Sequence, residues 1–179
     1  MNRISIINNL IKEHGYSNYL EIGVAQGTCF KKVKCENKTG VDPKCNGTHA
    51  MTSDAFFKIN KDKFDIVFID GLHVAEQVER DILNSLACLK KGGTIVCHDM
   101  NPPSEKHQKL AHEMGQWCGD CWKAWVRLRR TRKDLTMFVH DCDFGVGVIT
   151  RGKQKLLTDN LPLTWNNLEK NRVTWLNLV

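Results

Sequence analysis

An α/β fold built on an open, mostly parallel sheet with helices on both faces is what this sequence predicts, and three observations predict it. Two short strand-like runs end in turns that carry an acid and a glycine or proline, LEIG at 20–23 and GVDP at 40–43. Two apolar runs, FDIVFIDG at 64–71 and TIVCHD at 94–99, flank one amphipathic segment, the pattern of a βαβ unit. A last pair of runs, LTMFVHD and FGVGVIT, is separated by only a few residues, as in an antiparallel hairpin.

Each element has its own signal. Ile4, Ile7, Leu10 and Ile11 fall at helical spacing, and Gly15 stops that helix. YLEIG at 19–23 is the first strand, and Gly27 opens a second helix. TGVDP at 39–43 is the second strand, closed by Pro43; HAMTS at 49–53 reads as a weak third, with Asp54 capping the helix AFFKIN. The unbroken apolar run Ile66 to Ile69 suits a parallel strand covered on both faces. In the following helix Ala75, Val78, Ile82, Leu86 and Leu89 share one face, and Gly92-Gly93 ends it before TIVCHD. After Asn101-Pro102-Pro103 the pattern is polar and helical to about 133, with Trp117, Trp122 and Trp125 interleaved. Counted this way the sheet has seven strands, the last two forming the C-terminal hairpin.

Composition bounds the function. At 179 residues, 41% hydrophobic and 26% charged, the chain is expected to form one globular domain over 1–179. MNRISIINNLIKEHG has neither the apolar stretch nor the cleavage site of an export signal, and no later run is long enough to cross a bilayer. A cytoplasmic protein without a membrane partner is therefore expected. Its eight cysteines, scattered among strands and helices, read as reduced thiols. The net charge of +6 is concentrated in KAWVRLRRTRK at 123–133, which holds six Lys and Arg residues. This is either a solvated helix face or a surface for an anionic partner such as nucleic acid.

In open sheets of this type ligands bind beyond the carboxyl ends of the strands, and those ends are polar here. Gly23 and Gly27 let backbone approach a ligand closely, and the helix start at Gly27 favours a carboxylate. Asp42, about twenty residues on, is placed to accept from two ribose hydroxyls. The Gly-x-x-x-Gly spacing differs from the Gly-x-Gly-x-x-Gly turn of pyrophosphate binders, and Glu21 before it would repel phosphate while tolerating a cationic ligand.

Together LEIGVAQG, GVDP, TSDAFF, FDIVFIDGLH and GGTIVCHDMNPP resemble class I methyltransferases, and within them the small families found with sugar and natural-product modification genes. The resemblance covers nearly the whole chain, DFGVGVITRG included. It implies a Rossmann-like methyltransferase fold that binds S-adenosylmethionine at Glu21, Gly23, Gly27, Asp42, Asp70 and the pair Ser53-Asp54, the pair lying near the adenine.

Asp70 and Asp99 end the two strongest strands, which lie side by side in this fold, about 4.8 Å apart, so their carboxylates can meet on one cation or one substrate hydroxyl. Oxygen ligands favour Mg2+ or Mn2+. His73, three residues past Asp70, is the candidate general base for a hydroxyl held there. This Asp-x-x-His arrangement resembles that of metal-dependent sugar O-methyltransferases. Catechol-type relatives carry Asn after the second aspartate, where this chain has Met100, with His98 before Asp99 as a further ligand or a packed neighbour. The alternative is a metal-free centre in which His73 and Asp99 orient the substrate.

The segment WCGDCWKAW offers Asp120, Trp122 and Lys123 as acceptor contacts, with core packing as the other explanation of its tryptophans. Cys118 and Cys121, with His107 and His112 upstream, have partial zinc spacing but lack a second CxxC pair. The expectation is an O-methyltransferase for a small hydroxylated acceptor, a sugar or glycan. Two alternatives stay open: a nucleic-acid methyltransferase that uses 123–133, and a non-catalytic binding domain on the same fold. The sequence leaves the oligomeric state open.

Overall fold

The structure is a computed structural model that describes residues 1–44, 46–109 and 117–179. Its strands are β1 (Asn18–Ile22), β2 (Asn37–Val41), β3 (Phe64–Ile69), β4 (Leu89–Cys97), β5 (Leu135–His140) and β6 (Val146–Arg151). Its helices are α1 (Arg3–His14), α2 (Thr28–Lys32), α3 (Ser53–Ile59), α4 (Ala75–Cys88), α5 (Cys121–Thr131) and α6 (Trp165–Leu176), with a 3-10 turn at Glu105–Gln108. The sheet order is β2-β1-β3-β4-β6-β5; the first four strands are parallel, and β6 pairs antiparallel with both β4 and β5.

Side-chain alternation splits the core in two. Tyr19, Ile66, Phe68 and Val96 face α1 and α2, where Ile6, Ile7, Ile11, Cys29 and Val33 cover them. Leu20, Ile22, Val67, Ile69 and Ile95 face the other layer, built from α3, α4, α5 and α6. The expected helices on both faces are therefore present. α1 begins with a reciprocal cap between Asn2 and Ser5 and ends at left-handed Gly15.

Several sequence expectations need correction. The described residues form six strands, not seven, because 49–53 contributes only one bridge, Val41 to His49. The N–H groups of Thr48 and His49 both donate to the Gly40 carbonyl, which folds this loop over the end of β2 instead of extending it. The residue that caps α3 is Thr52, whose hydroxyl accepts from the Ala55 N–H; Asp54 sits inside the first turn.

Gly92 and Gly93 do not end α4. The helix stops at Cys88, and the two glycines lie inside β4, where the pairing register shifts between Phe64 and Ile66. The helical reading of 103–133 shrinks to the 3-10 turn and α5, with 110–116 outside the described residues. The sequence reading missed α6, although Trp165, Leu168, Trp175 and Leu176 bury along it behind a Thr164 cap. Past α6, Leu178 bridges to Val139 and covers the outer edge of β5.

Candidate active site

Four parallel strands deliver their carboxyl ends to one rim. There the Gly23 N–H donates to the Val41 carbonyl, the Asp70 N–H to the Ile22 carbonyl, and the His98 N–H to the Ile69 carbonyl. The segments that follow β1, β2, β3 and β4 are therefore laced together, and they carry Gly23, Asp42, Asp70 and Asp99. The sequence placed these residues on one rim, and the structure brings them there.

Gly23 has φ +89, and a Cβ built on it would lie 2.1 Å from the Asp70 carbonyl oxygen. Only glycine fits between β1 and the turn after β3. Asp42 accepts from the Ala25 N–H at 2.9 Å and the Lys44 N–H at 2.8 Å, which anchors the loop between Gly23 and Gly27. Gly27, at φ +74, precedes α2. Ser53 and Asp54 are tied to α4, since the Gln77 side-chain amide donates to both, at 3.1 and 3.2 Å, and also to buried Asp81.

Glu21 is 1% exposed, on the α1 side of the sheet, and accepts a short hydrogen bond from the Tyr19 hydroxyl. Burial pushes its carboxyl up to about 7; the Tyr19 hydrogen bond opposes the shift and the charge of Asp70 adds to it. With the folded value raised above the usual 4.5, this group's contribution to stability is full below 4.5 and is lost as pH rises through 7. That loss is about 3 kcal/mol. Thermal unfolding of Glu21→Gln against the parent should show the variant gaining relative stability from pH 4.5 to 8, and equal slopes would contradict this.

Around Asp70 and Asp99 the charges form a closed arrangement. His73 Nε2 lies 3.4 Å from Asp70 Oδ1 and 3.3 Å from Asp99 Oδ2. His98 Nδ1 approaches the same two oxygens from the other side, at 3.3 and 3.1 Å. Asp99 and His98 are buried, and Asp70 and His73 keep a small exposed area. Asp99 holds a left-handed backbone, φ +63, which turns its carboxylate back over the strand end. Burial works against the charge of Asp70, but hydrogen bonds from His73 and His98 outweigh it and hold its carboxyl below the usual range.

His73 is held by the segment that leads into α5. Its Nδ1 is 3.0 Å from the Trp117 carbonyl, and its ring stacks on the Trp117 indole with centroids 4.8 Å apart. Gly119, at φ +59, lies so close that a Cβ there would come within 1.8 Å of the His73 carbonyl oxygen. The carbonyl accepts a hydrogen bond from Nδ1–H, and Nε2 is the ring nitrogen that faces the two carboxylates. Burial lowers the pKa of His73, yet the hydrogen bond to Asp70 and the charge of Asp99 raise it on balance above the usual value.

For His98, burial opposes a charge, while hydrogen bonds to Asp143, Asp70 and Asp99 favour one and push its pKa up to about 11. Its Nε2 lies 3.6 Å from Asp143 Oδ1 and 2.6 Å from Arg3 Nη1.

The other sequence candidates behave differently. Asp120 is buried and accepts from the Ala75 N–H at 2.8 Å, so it supports the start of α4 and the turn carrying His73, and Lys123 pairs with it at 3.1 Å. Trp122 lies in the core, stacked on Trp175 with centroids 6.1 Å apart; Trp117 is the indole beside the centre. Cys118 and Cys121 are buried, and burial together with the charge of Asp99 holds both thiols far above the usual range, a poor state for zinc ligands. His112 lies outside the described residues. The described cysteines are all unpaired.

The basic segment is largely neutralised from within. Arg127 pairs with Glu76 and Glu79, Arg130 with Asp159, and Arg132 with Asp134, while buried Arg129 donates to Gln154 and the Thr174 carbonyl. Sequence reading missed Arg3 and Asp143 altogether; nothing local in NRIS or CDFG marks them. Among the described residues, Asp70, His73 and Asp99 form a group whose possible ligand atoms all lie within 4.8 Å of one another. No described helix is long and apolar enough to cross a membrane.

Comparison with known proteins places this geometry. Residues 30–100 match the model of a methyltransferase domain family. No curated protein matches the chain. Among solved structures, it is similar to a putative caffeoyl-CoA O-methyltransferase from Staphylococcus aureus, at 15% identity and TM-score 0.59, over 83% of this chain and 82% of that one. The SAH-bound methyltransferase PaMTH1 from Podospora anserina is 14% identical at TM-score 0.61, over 84% and 78%. MycE, a methyltransferase of mycinamycin biosynthesis seen with Mg, SAH and mycinamycin VI, is 15% identical at TM-score 0.56, over 89% of this chain and 51% of that one. These likenesses show a shared Rossmann-like methyltransferase fold.

Proposed function

We propose that this chain, a methyltransferase domain on a class I fold, transfers the methyl group of S-adenosylmethionine to a hydroxyl of a small acceptor, a sugar or glycan. The observation that carries the reading is the convergence of Asp70, His73 and Asp99 on one point at the rim that also bears Gly23 and Asp42. The solved relatives that hold SAH support the choice of cofactor.

When bound, S-adenosylmethionine supplies an electrophilic methyl group, so that an acceptor oxygen forms an O–C bond as the C–S bond breaks. Asp42 and the Ser53-Asp54 pair are the residues offered to its adenosyl end, Gly23 brings backbone close to Asp70, and Glu21, 1% exposed and bonded to Tyr19, lies in the core on the α1 side. His73 takes the hydroxyl proton at Nε2, with Nδ1 held by the Trp117 carbonyl, and the neighbouring carboxylates stabilise the imidazolium that results.

The donor set of two carboxylates and one imidazole fits a hard divalent cation, Mg2+ or Mn2+. Asp70 and Asp99 would hold it, and its chemistry there would be to lower the cost of ionising the acceptor hydroxyl. The internal pairing of 123–133 removes the main support for a nucleic-acid acceptor, and the built centre speaks against a purely binding role.

The test is a methyl-transfer screen with labelled cofactor over sugars, glycans, RNA and DNA, with added Mg2+ or with chelator. Turnover on a hydroxylated small molecule is the expected result. Transfer to nucleic acid alone, or none at all with bound cofactor, would overturn the reading.

A further inference from the structure

The start of α4 reaches toward α3 with a polar cluster that the reaction centre does not use. Its first N–H, that of Ala75, is fixed by Asp120 Oδ1 at 2.8 Å. Its first turns then carry Gln77, Arg80 and Asp81, spaced so that Gln77 meets both of the others on one helix face. Gln77 Nε2 has three acceptors within reach: Asp81 Oδ1 at 3.0 Å, Asp54 Oδ1 at 3.2 Å and the Ser53 hydroxyl oxygen at 3.1 Å. Its Oε1 accepts from Arg80 Nη2, and Arg80 Nε stands 3.6 Å from the same Asp54 Oδ1.

These partners allow the Gln77 amide one orientation. Turned over, its oxygen would meet two carboxylates and its NH2 would meet a guanidinium, which only donates. Gln77 and Asp81 are buried. Burial pushes the Asp81 carboxyl up to about 6, against hydrogen bonds from Ser53 and Gln77 that favour its charge. An uncharged donor thus stands between a buried carboxylate and that of Asp54, whose side chain is 43% exposed. Among the described residues, both side-chain contacts of Asp54 to α4 fall on Oδ1, and Oδ2 remains to accept from a ligand.

We propose that Gln77 and Arg80 are positioning residues for the base of the cofactor: by fixing Asp54 through Oδ1 they leave Oδ2 to accept from the exocyclic amine of adenine, and so make the site prefer adenine to a base with a carbonyl at that position. An amine donates to a carboxylate, whereas a carbonyl brings only lone pairs and is repelled. A fixed acceptor rejects such an analogue; a carboxylate released from α4 turns away from it. The inference rests on the proposed function, which offers Asp54 to the adenosyl end.

The test is titration calorimetry of the full chain near pH 8 with S-adenosylhomocysteine and with its deaminated analogue, S-inosylhomocysteine. The parent protein should bind the adenine form at least about tenfold more tightly. Gln77→Met, which keeps the length of the side chain, should weaken the adenine form about tenfold, as loss of one hydrogen bond to a charged group does. It should leave the inosine form nearly unchanged, which brings the two affinities within about threefold of each other. Arg80→Met, at a half-exposed position, should narrow the preference in the same direction.

Equal affinities of the parent protein for the two ligands overturn the inference. So does a Gln77→Met protein that loses affinity for both alike, the mark of a merely structural loss. If Gln77→Met does not fold, Arg80→Met decides, and an unchanged preference there overturns the inference while leaving the cofactor reading in place. A parent protein that binds neither ligand sinks the cofactor reading and the inference with it.

Discussion

Replacing His73 with Ala is expected to lower kcat about 10²- to 10⁴-fold, the usual contribution of a positioned general base, while the Kd for S-adenosylmethionine stays unchanged. The geometry behind this is specific. Nε2 stands 3.4 and 3.3 Å from the carboxylates, and Nδ1 is occupied by the Trp117 carbonyl, so the ring offers a single basic nitrogen in one orientation. His73 lies past the end of β3, beyond the glycine wall at Gly23, and its removal leaves that wall intact. His73→Gln restores a polar side chain without a base of comparable strength and should stay within about tenfold of the Ala variant. Full turnover in His73→Ala would remove the residue from the chemistry.

The second large effect is on the fold and the cofactor loop together. Gly23→Ala puts a methyl group 2.1 Å from the Asp70 carbonyl oxygen at a backbone φ of +89. The left-handed conformation costs about 1–2 kcal/mol for a residue with a Cβ, and forcing backbone apart adds about 1–3 kcal/mol. Denaturant unfolding should show a loss on the order of 2–5 kcal/mol, with the midpoint lowered and the slope little changed. Because the displaced backbone is the start of the Asp70 turn, cofactor affinity should fall as well. Gly15→Ala is the control: Gly15 also has positive φ, but nothing lies within 4 Å of its added Cβ, so that variant should show the backbone cost alone.

The rim was legible in the sequence because parallel strands state their ends locally. An apolar run followed by Asp-Gly or Asp-Pro needs no knowledge of the rest of the chain, so Asp70 and Asp42 stand out locally at strand ends. The weak third strand was not legible. HAMTS has strand-like residues, yet its fate depends on which carbonyl its N–H groups meet, and Gly40 takes two of them.

The same limit explains the tryptophans. Helical periodicity gives the faces of α5 but not which face meets α6, so the sequence alone does not separate Trp122, stacked on Trp175 in the core, from Trp117, stacked on His73. The pairing of Arg127 and Arg130 is not visible locally because their partners, Glu76, Glu79 and Asp159, are some thirty to fifty residues away. Arg3 is the extreme case: its partners lie 95 and 140 residues along the chain, and only tertiary structure brings them to the centre.

Binding of S-adenosylmethionine at the rim is tested most directly by titration calorimetry of the chain with that cofactor. Saturable one-to-one binding to the parent protein, weakened at least tenfold in Asp42→Ala with the thermal unfolding of the variant still cooperative, is the expected result. No measurable heat with the parent protein, or equal affinity in both proteins, would contradict it.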